Sequence, residues 1–278
     1  MRRPEPVLAT ELFPPLDREL IGLLRSLSDA EWNRAIGSGR WSVKDVSAHL
    51  LDTAVRRLSL HRDGYSAPDT PKLQTDDDLK NFINEMNGDW VKAARRLSPR
   101  LLIELLERTG RELYEFFTTL DPCEAARFPV SWAGEESSLN WFDIAREYTE
   151  RWHHQEQIRE TVSRPELTSR KYLYPVLDTF MRALPHVYRS VQAPTGTVVR
   201  IAVSGDAGGE WYVRRKNDGW ELLLDVKERV AAAVEIPQDV AWKLFTKGLD
   251  KASAETKMKF EGDAELGRVV LEMVCIVG

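Results

Sequence analysis

The sequence predicts a four-helix bundle followed by a small α+β domain. Residues 10–162 contain four or five long stretches in which apolar residues recur three and four positions apart, the spacing of an amphipathic helix. From residue 197 onward the chain instead has short β-branched runs separated by turn residues, with helical stretches between them. We therefore expect the bundle in residues 1–165, a linker helix in 166–194 and the α+β domain in 195–278.

The first half of the bundle is predicted from two helix starts. Residues 14–27 open with two prolines, which the first turn of a helix tolerates, and continue with leucines on one face. A second helix is predicted from residue 41 to residue 63, where Ser42 and Asp45 have the spacing of a capping box. In that arrangement each side chain bonds the other residue's backbone N–H, so the helix start is well defined.

The second half of the bundle is predicted from apolar periodicity and from the loops that interrupt it. A Pro-rich polar loop at 64–75 precedes a long helix that ends near Ala94. Ser98 and Pro99 suit a fresh helix start, and an irregular connection at 121–138 follows that helix. The last helix of the bundle is predicted over 139–162, a stretch without proline or glycine.

The C-terminal half combines strands with helices. A helical stretch from 170 to 191 contains two prolines, and Asp218-Gly219 between apolar runs predicts a hairpin. The remaining predicted elements are strands at 197–203, 210–214, 219–224, 231–236 and 256–260, a helix at 237–248 and a closing helix at 263–277 that packs on the sheet.

Charge, cysteine spacing and hydropathy argue against several classes of function. The net charge of −5 gives no sign of the basic surface that nucleic-acid binding favours. The two cysteines are far apart and lack CxxC spacing, which argues against a disulfide scaffold and a cysteine zinc site. Neither a signal peptide nor an apolar run of membrane-spanning length is evident, so we expect a cytoplasmic protein in a reducing compartment.

Two histidines and a glutamate are the candidate metal ligands. Glu150 and His154 are four residues apart on a predicted helix, so both side chains lie on one face. His49 is the single histidine of the second predicted helix and has apolar neighbours. Two imidazoles and a carboxylate are a common set for catalytic zinc, and they leave a fourth position for water or substrate. We expect these two helices to face each other and share one ion.

The same residues can also be interpreted without a metal. A lone histidine such as His49 is more often a surface or hydrogen-bonded residue, and Glu150 with His154 can be a helix-stabilising pair. His153 points about 100° away from His154 on the helix, so we expect it to lie outside the site. His61 is twelve residues from His49, too far along a helix to share its ion.

Three polar residues near these histidines are candidates for orienting them. Gln157 is three residues after His154, and Asp45 and Asp52 flank His49 on its helix. Such groups can hold the N–H of a metal-binding imidazole, although they can equally be solvated.

Two segments resemble a known family. Residues 41–50 resemble the Trp-Ser-x-x-Asp-x-x-x-His-Leu signature of the mycothiol-dependent maleylpyruvate isomerase family, which belongs to the DinB-like metalloprotein superfamily. Residues 146–155 resemble its second motif, Glu-x-x-x-His. The resemblance implies a DinB-like four-helix bundle that holds a divalent metal, usually zinc. The ligands it implies are His49, Glu150 and His154.

The C-terminal half resembles the sterol-carrier-like domain of several such proteins. The similarity rests on domain order and on the sequence 259–264, Lys-Phe-Glu-Gly-Asp-Ala. Family members with this architecture place a C-terminal arginine near the metal. The candidates are Arg200, Arg214, Arg215 and Arg229, and the sequence does not distinguish among them.

The function implied by the resemblance is thiol chemistry at a metal. We expect a thiol S-transferase or a maleylpyruvate-type cis-trans isomerase that uses mycothiol or another small thiol with a small-molecule electrophile. We expect a monomer or homodimer without nucleic-acid or membrane partners. One alternative is a hydrolase that uses a metal-bound water. The other is a non-enzymatic small-molecule-binding protein in which the metal is structural.

Overall fold

The fold was analysed in a computed structural model that describes residues 1–37, 39, 41–66 and 76–276. Its helices are α1 (Phe13–Arg25), α2 (Asp29–Trp32), α3 (Val43–Arg57), α4 (Asp76–Ala94), α5 (Pro99–Thr118), α6 (Asn140–Thr161), α7 (Arg170–Met181), α8 (Leu184–Val187), α9 (Gln238–Phe245), α10 (Lys251–Glu255) and α11 (Ala264–Arg268). Its strands are β1 (Val198–Ser204), β2 (Gly209–Lys216), β3 (Gly219–Leu223), β4 (Val230–Pro237) and β5 (Lys259–Gly262). The predicted fold class, a helical region followed by an α+β domain, is confirmed. Most of the loop predicted at 64–75 lies outside the described residues.

Packing divides the chain into two compact units. The helical unit contains Ala9–Arg127 and Glu150–Glu166, and the sheet unit contains Met1–Leu8, Phe128–Thr149 and Leu167–Ile276. Helix α6 therefore begins in the sheet unit and ends in the helical unit. The predicted domain boundaries at 165 and 194 stay a prediction, because compact units do not show which segments fold independently. In the described part of the chain, no helix is long and apolar enough to cross a membrane.

The helical unit is built from the amphipathic helices that the sequence predicts. Helix α1 packs on α5, and α3 packs on both α4 and α5. The predicted capping box is present, since Ser42 and Asp45 each accept a hydrogen bond from the other's backbone N–H. The predicted second helix differs at its end, where Leu58–Arg62 form a π-helical turn after α3. The buried apolar core includes Leu20, Leu24, Val46, Leu50, Leu102, Leu106 and Ile158.

The sheet unit contains one five-stranded mixed sheet with the order β3-β2-β1-β4-β5. Strands β1 and β4 are parallel, whereas the other neighbouring pairs are antiparallel. The hairpin predicted at Asp218-Gly219 joins β2 to β3. Helix α7 is held within this unit because Asp178 accepts a hydrogen bond of 2.7 Å from the Trp211 indole.

Three predictions in this unit are wrong in detail. The stretch predicted as one helix from 170 to 191 breaks after Met181, because Pro185 has no N–H to donate to the Met181 carbonyl four residues earlier. A separate helix, α8, starts at Leu184 with Pro185 in its first turn. The last strand lies at 259–262 because a short helix, α10, occupies the residues just before it. The closing helix ends at Arg268 and becomes a 3-10 turn, after which Cys275 donates its backbone N–H to Phe245.

Candidate metal site

The second half of α6 is buried on nearly every side. Among residues 150–159, only Glu150, His154 and Gln157 are half-buried, and the other seven are buried. Because these three positions are four and three residues apart, they form one stripe along the helix. The two ligands predicted on α6 therefore lie on the one face of this segment that is partly open.

The stripe also holds its histidine in a fixed orientation. His154 Nδ1 is 2.8 Å from Gln157 Oε1, which confirms Gln157 as an orienting residue. An amide oxygen only accepts hydrogen bonds, so Nδ1 is the donor here and Nε2 is the ring nitrogen left to bind a cation. That Nε2 lies 3.7 Å from Glu150 Oε2. This nitrogen and the carboxylate thus converge, as two ligands of one cation must.

Helix α3 brings His49 to this stripe. The His49 and His154 rings meet edge to face, with centroids 4.9 Å apart, and Trp41 covers His49 at 5.2 Å. Burial lowers the pKa of His49 well below its usual value, and repulsion from His154 and Arg56 lowers it further, so the ring is neutral at pH 7. Within the described residues, His49 Nδ1 is buried without a hydrogen-bond partner. A buried polar atom in that state is costly, and a cation is one partner that would satisfy it.

His153 also belongs to this cluster, closer to Glu150 and His154 than the sequence predicts; whether it binds an ion stays a prediction. One ligand atom each from Glu150, His153 and His154 lies within 4.8 Å of the other two. Burial, with repulsion from His154, lowers the pKa of His153 well below its usual value. The 100° offset between adjacent helix positions fixes only where the side chains start, whereas two torsions of each imidazole allow their rings to converge.

The two carboxylates flanking His49 have other partners. Asp45 accepts from Arg95 at 3.0 and 3.1 Å and caps its own helix. Asp52 lies 3.1 Å from Arg56, one turn later. Capping and arginine pairing account for both carboxylates, and an orienting role toward His49 stays a prediction.

The chain matches two family models. Residues 13–159, more than half of the chain, match the family described as the mycothiol maleylpyruvate isomerase N-terminal domain. The chain belongs to this family. The matched segment contains both helices of the candidate metal site. Residues 178–273 match the SCP-2 sterol transfer family, so an isomerase-family helical region precedes a sterol-carrier-like domain here.

Solved structures show more distant likeness. The crystal structure of the mycothiol-dependent maleylpyruvate isomerase is 12% identical, with a TM-score of 0.48 over 84% of this chain and 86% of that one. A mutant of the same protein gives the same values. A ubiquinone synthesis protein, UbiJ-SCP2, is 15% identical, with a TM-score of 0.26 over 34% of this chain and 90% of that one. No curated protein sequence matches the chain significantly.

Two of the four candidate arginines of the sterol-carrier-like domain form ion pairs within the sheet unit. Arg200 pairs with Glu210 on the neighbouring strand. Arg214 pairs with Glu221 and, at 2.6 Å, with Glu228. These ion pairs give both arginines a role within their own sheet.

Proposed function

We propose that the chain is a metal-dependent enzyme that uses a low-molecular-weight thiol as its nucleophile. Its reaction class is thiol S-transfer or cis-trans isomerisation of the maleylpyruvate type. The expected metal is zinc, held by His49, Glu150 and His154. One observation carries the proposal: a buried histidine from α3, with an unpartnered Nδ1 within the described residues, meets a carboxylate–imidazole pair on α6. Membership of the isomerase family supports the choice of thiol chemistry.

The donor set fits a divalent cation. Two imidazoles and one carboxylate provide three ligands of the kinds zinc prefers, and they leave one position for a small molecule. A zinc ion bound there would lower the pKa of a bound thiol and keep it as the nucleophilic thiolate at neutral pH. The half-buried stripe of α6 offers the approach that such a thiol needs.

The chain's own residues would orient and shield the site. Gln157 would accept from His154 Nδ1 and so keep Nε2 turned toward the ion. Trp41 covers one side of His49 and would limit the access of water. The thiol would add to an activated double bond of the electrophile. Loss of the thiol after rotation about the resulting single bond gives isomerisation, whereas retention of the thiol gives conjugation.

Zinc content tests the ligands. We expect His49→Ala, Glu150→Ala and His154→Ala to lose the zinc that co-purifies with the unmodified protein, as measured by inductively coupled plasma mass spectrometry. His61→Ala is the matched control, because His61 follows α3 in the π-helical turn and contacts Arg57 instead.

His153→Ala tests whether His49 or His153 is the third ligand beside Glu150 and His154. Zinc that survives in His153→Ala and disappears in His49→Ala supports the proposed set. The reverse result would assign the ligand role to His153. Undiminished zinc in both His49→Ala and His154→Ala would refute the site.

A thiol-omission assay tests the reaction class. The proposal expects no turnover of activated double bonds or epoxides until a small thiol is added, and loss of turnover after chelation. Turnover that ignores thiol but needs the metal would indicate a hydrolase with a metal-activated water instead.

The match to the sterol transfer family favours a second function for residues 178–273, the binding of an apolar ligand. A fluorescent fatty-acyl probe should then bind the protein with an affinity that chelation does not change. No binding by the probe would exclude this second function while leaving the thiol chemistry intact.

A further inference from the structure

We propose that an ion pair between the buried Arg151 and the half-buried Asp17, seated against Gly110, sets the rotation of α6 about its own axis and thereby positions Glu150 and His154. This inference rests on the proposed metal site. It assigns positioning roles to three residues that lie on three different helices, α6, α1 and α5.

Arg151 lies on the face of α6 next to the stripe formed by Glu150, His154 and Gln157. It is 2% exposed, and its Nε donates to Asp17 Oδ1 at 2.7 Å. Because Arg151 directly follows Glu150, its side chain leaves the helix about 100° further round. A small rotation of α6 would therefore stretch this ion pair and, at the same time, swing Glu150 and His154 away from His49.

Gly110 provides the space for the pair. A Cβ atom at this position of α5 would lie 2.5 Å from Asp17 Oδ2 and 3.6 Å from Arg151 Nη2. The first distance is shorter than a non-bonded contact allows, so any larger residue would displace the Asp17 carboxylate. Glycine is otherwise unfavourable inside a helix, which indicates that the close approach has a use.

The pair is poorly suited to stabilising the fold alone. Arg151 Nη1 is buried without a hydrogen-bond partner within the described residues. Taking a guanidinium out of water costs more than one ion pair returns unless its other donors are also satisfied, so buried pairs are weak evidence for stability. A fixed orientation of α6 is the effect that the geometry does deliver.

Two glycines permit a matched test. Gly110→Ala displaces the Asp17 carboxylate, whereas Gly22→Ala on α1 places a Cβ where nothing lies within 4 Å. Both changes raise helix propensity in the same sense. Co²⁺ titration, followed by its visible absorption, reports affinity and ligand geometry. We expect Gly110→Ala to raise the Co²⁺ dissociation constant about tenfold and alter the spectrum, with Gly22→Ala unchanged.

Arg151→Lys is the second variant, since it keeps the charge but loses the planar fork. It should weaken and perturb Co²⁺ binding as Gly110→Ala does. The free energy of unfolding of each metal-free variant, measured in urea, separates orientation from general destabilisation. If either Gly110→Ala or Arg151→Lys fails to fold, Co²⁺ binding by the other variant tests the positioning role.

The outcomes separate this inference from the proposed function. Absence of Co²⁺ binding by the unmodified protein overturns the metal site, and this inference with it. Binding by the unmodified protein, with equal affinity and spectrum in Gly110→Ala, Gly22→Ala and Arg151→Lys, overturns the positioning role alone. Failure of both Gly110→Ala and Arg151→Lys to fold, when Gly22→Ala folds, overturns it too, because the pair would then be a requirement for folding.

Discussion

Replacing Asp45 by alanine should lower the free energy of unfolding by about 2 kcal/mol. Asp45 accepts a hydrogen bond from the Ser42 backbone N–H at 3.0 Å and closes the capping box of α3. Loss of a cap costs about 1 kcal/mol, and the negative charge in the first turn adds about 0.3–1 kcal/mol. The Arg95 ion pair adds the smallest share, because the Arg95 side chain is 58% exposed.

Urea unfolding followed by circular dichroism measures this loss, and a double-mutant cycle divides it. Arg95→Ala alone should cost much less than Asp45→Ala, and the coupling energy between Asp45 and Arg95 should account for only a minor part of the loss. Glu104→Ala is the matched control, because its pair with Arg100 is exposed and caps nothing. It should change stability by less than about 0.5 kcal/mol.

The pH dependence supplies an independent check on Asp45. Burial acts to raise the pKa of its carboxyl, but hydrogen bonds from Arg95 and Ser42 outweigh burial and hold the pKa below the ordinary 3.8. A lowered pKa stabilises the folded state above 3.8, and this contribution disappears as the pH falls through the folded pKa. Equal losses in Asp45→Ala and Glu104→Ala at pH 7, or a loss that does not diminish in acid, would refute the reasoning.

Three further changes have expected outcomes. Burial raises the pKa of Asp52 from 3.8 to about 6, so its contribution to stability should fall as the pH rises through that window, by on the order of 2 kcal/mol. Asp52→Asn should remove this part of the profile of unfolding free energy against pH. Gly134→Ala should cost about 1–3 kcal/mol in urea unfolding, because φ is +77° and the new Cβ would lie 2.1 Å from His186 Nδ1. Gly196→Ala, at φ +89° with open space, should show the smaller cost of strain alone, and equal costs would exclude the contact. Leu102→Ala should cost about 2–5 kcal/mol, because the side chain is fully buried, and a loss below about 1 kcal/mol would contradict its place in the core.

Local interactions account for the parts of the fold that were predictable. The capping box at Ser42 and Asp45 involves residues three apart, so the sequence shows it directly. Apolar spacing indicated the long helices, because only one face of each can be buried. The hairpin between β2 and β3 was predictable for the same reason, since its two-residue loop, Asn217-Asp218, is followed by Gly219 and needs a particular backbone conformation.

Elements that depend on partners distant in sequence were less predictable. The closing helix was predicted too long, because the chain is no longer helical from Met273 to Cys275. There the Cys275 backbone N–H donates to Phe245 at the end of α9. Gly267 of α11 shows the related constraint, because a Cβ there would lie 3.1 Å from Val234. Neither the return to α9 nor this close packing on β4 has a local sequence signal.

The candidate metal site was likewise predictable only in its local part. The sequence by itself determined that Glu150, His154 and Gln157 share a face of α6, because helix geometry places residues three and four apart together. Only the tertiary structure decided that this face is the partly open one and that His49 reaches it. It also moved His153 into the cluster, because the direction of a side chain depends on the packing around it as well as on its position in the helix.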